Sequence, residues 1–209
     1  MQLKKYSFRN LFASPVTTSS LDLNLEKLTE FVLHHKNIDS IGGSYSNRGG
    51  WHSKELIEES HEEFDKLKEG IIDKLNIYHS EVFSSMEFKE SVKPTIINMW
   101  AGVNEKHHYN ESHNHPYSIL SGVYYVKHDG SPENGVISFQ HPVQNISCPD
   151  MHWPLEAIVK HNEISSGQVD FLPKAGRLLI FPSWLQHKVQ SNLKDSTRVV
   201  FSFNSIIEK

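Results

Sequence analysis

The sequence predicts a mainly β fold, a sandwich or barrel, with a helical layer in front of it. From about Val92 onward, short apolar or alternating runs are separated by Gly, Pro, Asn and Asp, which is typical of all-β domains. Before that point, apolar residues recur at helical spacing. The length of 209 residues is about 1.4 typical domains, which favours one domain with an added layer over two independent units.

Two helices are expected in the N-terminal part. Ser19, Ser20 and Asp22 are capping residues for the first helix. Its apolar stripe consists of Leu21, Leu25, Leu28 and Val32. A glycine-rich loop over residues 42–50 follows, and Ser53 is the expected cap of a longer second helix. The stripe of that helix is Ile57, Ser60, Phe64, Leu67, Ile71, Leu75 and Tyr78.

The β part is expected to contain at least five strands. They are Thr95–Trp100, Ile119–Val126, Val136–Phe139, Arg177–Phe181 and Arg198–Phe203. We therefore divide the chain into a helical layer with the glycine-rich loop, residues 1–91, integral to the fold, and a β core, residues 92–209. Residues 143–168 form an insertion long enough to indicate a function, and we predict a substrate lid there.

Composition excludes several classes of protein. The net charge of -4 gives no basic surplus for coating a phosphate backbone, so nucleic acid is not an expected partner. A single cysteine excludes an internal disulfide framework and a cysteine-rich zinc site. No apolar run approaches the ~20 residues that a membrane-spanning helix needs, and no signal peptide is recognisable. We expect a cytoplasmic protein, and the long second helix leaves a homodimer open.

Histidine is the residue type that points to chemistry, with 14 copies in the chain. His113 and His115 stand two apart just before a strand, where side chains point to the same face and can bind one ion. The best third ligand is His187, at the end of a later apolar segment. Glu111 has the same spacing from His113, so it remains an alternative to His115. A structural role for these histidines is the other alternative.

An arginine makes a metal site more specific. Arg198 opens the last expected strand and shares its face with Val200, Ser202 and Asn204. A guanidinium inside a β barrel is costly unless it meets an anion, and its fork fits a carboxylate. The sequence therefore pairs a metal site with a site for a carboxylate ligand.

These residues resemble the iron(II)- and 2-oxoglutarate-dependent oxygenases, in particular a bacterial and phage branch that is similar to prolyl hydroxylases. Two motifs carry the resemblance, H-x-H-P at residues 113–116 and S-G-V-Y-Y-V at residues 121–126. The stretches 46–51 and 176–184 add to it. The resemblance covers about residues 40 to 206 and implies a double-stranded β-helix, the jelly-roll or cupin-like fold.

The resemblance also implies roles for individual residues. His113, His115 and His187 would hold Fe(II), and Arg198 would bind the distal carboxylate of 2-oxoglutarate. Tyr125 would share that task, and Ser202 resembles the hydroxyl residue of the same pocket. Asn98 stands where many relatives place a co-substrate-binding Tyr. The apolar walls of that pocket would be Val123 and Val200.

The departure from the wider family is His115, where most relatives have Asp or Glu. A neutral imidazole leaves the ion its full charge, and three imidazoles also suit zinc, copper or nickel. The resemblance implies a dioxygenase that uses O2 to hydroxylate a C–H bond of a protein side chain or small metabolite, with release of succinate and CO2. The alternatives are a three-histidine, cupin-like metalloenzyme that does not use 2-oxoglutarate, and a non-catalytic binding module.

Overall fold

The structure, a computed structural model, describes residues 12–88, 90–143, 159–160 and 166–209. Within these residues the chain forms two helices, α1 (Leu25–Ile38) and α2 (Glu62–Val82). The strands are β1 (Thr17–Ser20), β2 (Asn47–Arg48), β3 (Trp51–His52), β4 (Lys93–Asn104), β5 (Tyr109–His113), β6 (Leu120–Lys127), β7 (Ile137–Gln140), β8 (Gln168–Phe171), β9 (Arg177–Pro182), β10 (His187–Val189) and β11 (Arg198–Glu208).

The strands form two antiparallel sheets. The larger sheet has the order β1-β9-β6-β11-β4-β3, and the smaller has the order β2-β5-β10-β7-β8. The mainly β fold expected from the sequence is confirmed. The double-stranded β-helix, or jelly roll, is likewise confirmed. Among the described strands none pairs from one sheet to the other, so the two sheets do not close into a barrel.

Two apolar cores lie on opposite faces of the larger sheet. On the outer face, α1 and α2 pack through side chains such as Leu28, Phe64 and Leu67 against Phe201 and Phe203 of β11. On the inner face, a smaller core lies between the two sheets. Its buried members are Val123, Tyr125, Ile137, Phe139, Leu179, Phe181, Leu185 and Val200. This second core holds the two sheets together beside the site described below.

The helices form where the apolar periodicity predicts them, but both begin later than expected. α1 is capped by Asn24, whose side chain accepts a hydrogen bond from the Lys27 backbone N–H at 3.1 Å, while Ser19 and Ser20 belong to β1. α2 begins after His61, which makes no capping hydrogen bond through its side chain. The expected cap, Ser53, instead accepts a hydrogen bond from the Ala101 N–H of β4, because that edge of the strand needs an acceptor.

Three short strands precede α2, in the region where the sequence suggested only helices and loops. β1 pairs with β9, β2 with β5 and β3 with β4. These strands have two to four residues and carry no apolar alternation, so their own sequence gives little signal. They attach the N-terminal region to both sheets.

Two further observations concern the sequence predictions. None of the helices formed by the described residues has the length and apolar character needed to cross a membrane.

Most of the expected lid, residues 144–158 and 161–165, lies outside the described residues.

Candidate active site

A cavity of about 460 Å³ lies between the two sheets. The larger sheet contributes alternate residues of β4 and β11 to its wall, and β5 and β10 of the smaller sheet form the facing wall. Because side chains alternate along a strand, the whole inward face of β11 predicted from the sequence does line this cavity. That face consists of Arg198, Val200, Ser202 and Asn204.

Three imidazoles meet on the wall of the cavity. His113 ends β5, His115 follows it in the next loop, and His187 begins β10 directly opposite His113 in the strand pair. The ring centroids are 4.4 Å apart for His113 and His187, 5.1 Å for His113 and His115, and 5.2 Å for His115 and His187. One nitrogen from each ring lies within 4.8 Å of the others, so the three can bind one ion.

Hydrogen bonds orient two of these rings. His113 Nδ1 donates to the Glu111 carbonyl at 2.7 Å, and His187 Nδ1 donates to the Leu185 carbonyl at 2.9 Å. A carbonyl can only accept, so each bond places the proton on Nδ1 and leaves Nε2 as the free lone pair. The two residues therefore present the same nitrogen to the centre of the cluster.

Burial keeps all three imidazoles neutral. It lowers the pKa of His187 to about 3 and that of His115 to about 4, with a further contribution from the neighbouring histidines. The pKa of His113 is also lowered, again mainly by burial. A metal ion binds the neutral imidazole, so no proton competes for these nitrogens near neutral pH. The donor set fits Fe(II), as it fits other ions that accept imidazole ligands.

Glu111, the alternative ligand, points away from the cluster. Its carboxylate forms an ion pair with Arg48 from β2. The β2–β5 pairing brings these two residues together at the edge of the smaller sheet, where the Glu111 side chain is 48% exposed. The geometry therefore favours His115.

Arg198 is a buried cation, with only 3% of its surface exposed. Its guanidinium carbon lies 5.3 Å from the centroid of the Tyr125 ring, and its Nε is buried with no hydrogen-bond partner among the described residues. The Tyr125 hydroxyl is likewise buried and has no partner in the described part of the chain, and Tyr125 is not one of the residues that line the cavity. Burial lowers the pKa of Arg198 and raises that of Tyr125. Such an unsatisfied pair is costly unless an anion completes it.

Asn104 is the neighbour of Arg198 that the sequence did not reveal. The two residues are paired across β4 and β11, Asn104 is 3% exposed, and it lines the cavity. Gly50 makes room for it, because a Cβ at position 50 would lie only 2.2 Å from Asn104 Oδ1. Asn98 is paired with Asn204 instead. At ~3.3 Å per residue, Asn98 lies about 20 Å along the strand from the position opposite Arg198.

Hydrogen bonds connect Asn104 to Ser46, which lies beside the His113 ring. Asn104 Nδ2 donates to Asn110 Oδ1 at 3.1 Å, and Asn110 Nδ2 donates to Ser46 Oγ at 3.2 Å. Ser46 Oγ in turn lies 3.5 Å from His113 Nε2. The sequence gives no signal for these contacts. They arise where β2 pairs with β5 and β4 pairs with β11, and local sequence patterns do not show such pairings.

A family model matches residues 98–204, just over half of the chain, and its description reads "Putative 2OG-Fe(II) oxygenase". The matched segment contains all three histidines and Arg198. The chain belongs to the 2OG-Fe(II) oxygenase family. It is therefore a 2-oxoglutarate-dependent oxygenase, with Fe(II) as cofactor, 2-oxoglutarate as co-substrate and O2 as oxidant. No curated protein matches the sequence.

Solved structures share the fold at low sequence identity. A Pseudomonas putida prolyl-4-hydroxylase is 13% identical with a TM-score of 0.58, over 91% of this chain and 92% of its own. A viral collagen prolyl hydroxylase from Paramecium Bursaria Chlorella virus-1, solved with 2-oxoglutarate, is 11% identical with a TM-score of 0.58, over 91% and 94%. HygX from Streptomyces hygroscopicus, solved with nickel and 2-oxoglutarate, is 11% identical with a TM-score of 0.58, over 92% and 82%.

Proposed function

We propose that this oxygenase hydroxylates a C–H bond of a protein side chain or small metabolite at a metal held by His113, His115 and His187. One observation carries the proposal. Three neutral imidazoles converge on the wall of a cavity that is also lined by an arginine almost fully buried from solvent. When bound, Fe(II) with 2-oxoglutarate and O2 supplies the oxidising power, and 2-oxoglutarate leaves as succinate and CO2.

The chain contributes by holding and orienting these groups. His113 and His187 offer Nε2 because their Nδ1 protons are committed to backbone carbonyls. His115 is held by its backbone N–H, which donates to the Ser183 carbonyl at 2.9 Å. Contacts of this kind restrict how far these residues can move before an ion binds.

Arg198 is the proposed partner of the distal carboxylate of 2-oxoglutarate, with the Tyr125 hydroxyl as a second donor. Both groups are buried, and the described residues leave their hydrogen bonds incomplete, which an anion would remedy. Ser202 lies on the same face of β11, and Val123 and Val200 are the proposed apolar walls of this pocket. These side chains would hold the co-substrate with its keto-acid end toward the histidines.

Asn104 is proposed in place of Asn98 as the β4 residue of the co-substrate pocket. The supporting observation is the strand register, which pairs Asn104 with Arg198. A five-carbon dicarboxylate anchored at Arg198 is much too short to extend along the strand to the pairing position of Asn98. Asn98 is proposed to face the prime substrate.

The test is an anaerobic titration of the protein with Fe(II) and 2-oxoglutarate. We expect a weak visible metal-to-ligand charge-transfer band, and succinate when air is admitted. His187→Ala is expected to abolish both, whereas the exposed His34→Ala is a matched control that retains them. Absence of the band together with absence of succinate would refute the proposal.

Three further proposals concern the whole molecule. We propose a cytoplasmic location, a lid function for residues 143–168, and the division at residue 91 into a helical layer and a β core. Limited proteolysis with and without 2-oxoglutarate tests the lid, because equal cleavage in both conditions would contradict it. Light scattering tests whether the protein is a homodimer.

A further inference from the structure

A single carboxylate lines the cavity within the described part of the chain, that of Glu55. Its Oε1 accepts hydrogen bonds from three backbone N–H groups, those of Leu56 at 2.9 Å, Ile57 at 2.9 Å and Met99 at 2.8 Å. No described residue donates to Oε2, and the side chain is exposed to the cavity and to solvent. Glu55 therefore presents a fixed negative charge with one oxygen free.

Glu55 and Arg198 lie at opposite ends of the cavity. Glu55 is bonded to Met99, whereas Arg198 is paired with Asn104, five residues further along β4. At ~3.3 Å per residue the two anchoring points are about 17 Å apart. Arg198 is assigned to 2-oxoglutarate, so the negative end of the cavity is the end left for the prime substrate.

An aromatic wall extends from this end toward the histidine cluster. The Tyr45 and His52 rings are 4.7 Å apart, and the His52 ring stacks on Trp100 at 5.4 Å with 13° between their planes. The Trp100 ring lies 5.7 Å from that of His115. Tyr45 is 68% exposed, so the wall begins at the rim and ends at a proposed metal ligand. Aromatic faces beside a carboxylate attract organic cations.

We propose that the prime substrate carries a cationic group, a primary ammonium or a guanidinium, which pairs with Glu55 at the rim while its carbon chain follows the aromatic wall to the histidines. This inference rests on the proposed function and specifies the substrate class. The cation can belong to a free amine or to a Lys or Arg side chain of a peptide, since both present the same chemistry.

Glu55 also satisfies backbone N–H groups at the edge of β4, and the variant must separate this role from recognition. Glu55→Gln keeps an oxygen that can accept the same three hydrogen bonds but removes the charge. Glu58→Gln is the matched control, because it removes a nearby exposed carboxylate that does not line the cavity.

The experiment is anaerobic calorimetry on protein loaded with Fe(II) and 2-oxoglutarate. One arm compares n-pentylamine with n-pentanol, and the other compares a short lysine peptide with the same peptide containing norleucine. We expect the wild type to prefer the cationic probe of at least one pair by about tenfold, equivalent to ~1.4 kcal/mol. Glu55→Gln is expected to abolish this preference, and Glu58→Gln to retain it. The arm that shows the preference identifies the source of the cation.

Two results would overturn the inference. One is that the wild type binds the cationic and neutral probes equally, or binds neither; this result is obtained with the wild type alone. The other is an unchanged preference in Glu55→Gln. Failure of the wild type to bind 2-oxoglutarate would be seen in the loading step and would overturn the proposed function instead, together with the inference that rests on it.

Discussion

Replacing Arg198 with Met is expected to stabilise the protein in the absence of 2-oxoglutarate and to abolish stabilisation by 2-oxoglutarate. The guanidinium is almost fully buried, and none of the residues that the structure describes forms a hydrogen bond with its Nε. Met has a similar length and no charge. The variant therefore removes the desolvation penalty of the guanidinium and keeps much of the packing of the side chain, including that of its stem beside Gly135. An activity-independent measurement can therefore test the assignment of Arg198.

The magnitude follows from two opposing contributions. Replacing buried charged groups with apolar residues of similar volume gains ~1–4 kcal/mol. The lost cation–π contact with the Tyr125 ring costs ~1 kcal/mol. A net gain of about 0–3 kcal/mol remains, and for a chain of this size each kcal/mol raises Tm by ~2–4 °C. In the wild type, 2-oxoglutarate at a hundred times its Kd adds ~2.7 kcal/mol.

Thermal unfolding of the metal-loaded proteins with and without 2-oxoglutarate measures both effects. Arg177→Met is the control, because Arg177 lies on β9 outside the cavity and donates to the Leu172 carbonyl at 2.8 Å. It is expected to retain the response to 2-oxoglutarate. A lower Tm of Arg198→Met than of the wild type without the co-substrate would refute the expected stabilisation. A Tm of Arg198→Met that still rises when 2-oxoglutarate is added would refute the role of Arg198 in binding it.

Three other changes have defined outcomes. Gly122→Ala is expected to cost ~1–3 kcal/mol of unfolding free energy in urea, because the new Cβ would lie 2.3 Å from the Phe203 ring; unchanged stability would show that the core adapts. His115→Ala is expected to weaken metal binding in equilibrium dialysis by more than the ~10–100-fold that is typical when a residue outside the metal ligands is changed. Glu111→Gln is expected to leave metal binding unchanged. A large loss in Glu111→Gln and none in His115→Ala would make Glu111 the ligand. Burial lowers the pKa of His128 in the folded protein. As the pH falls below the ordinary value of 6.5, the unfolded chain therefore takes up a proton that the folded chain excludes, and the free energy of unfolding decreases. His128→Gln is expected to show a shallower fall in urea titrations, and an equal slope would contradict this.

Local patterns predicted much of the fold because they record burial directly. The stripe from Phe64 to Tyr78 predicted α2, and the apolar run at residues 177–181 predicted β9. His187 was expected at the end of the apolar segment that contains this strand, but β9 ends at Pro182 and His187 begins β10 in the other sheet. A sequence shows where a strand lies but not which sheet it joins, since pairing depends on distant partners.

The candidate site was predictable where its residues are close in sequence or costly to bury. The two-residue spacing of His113 and His115 is a local signal, and Arg198 on an apolar strand is a chemical one. Asn104 and Glu55 give neither, because an Asn at the end of a strand or a Glu in a loop is ordinary. Asn104 is important because the strand register pairs it with Arg198, and Glu55 because it accepts a hydrogen bond from the Met99 N–H of β4.

The glycine-rich loop gains its explanation from the same long-range contacts. Gly50 has no room for a side chain because a Cβ there would lie only 2.2 Å from Asn104 Oδ1. The absence of a side chain lets the loop lie directly against β4 beside Arg198. The same loop carries Ser46, which is bonded to Asn110 and lies 3.5 Å from His113 Nε2. One segment thus touches both the proposed carboxylate pocket and the histidine cluster. Gly50 is required by its close approach to Asn104, and the loop forms part of the wall of the active site.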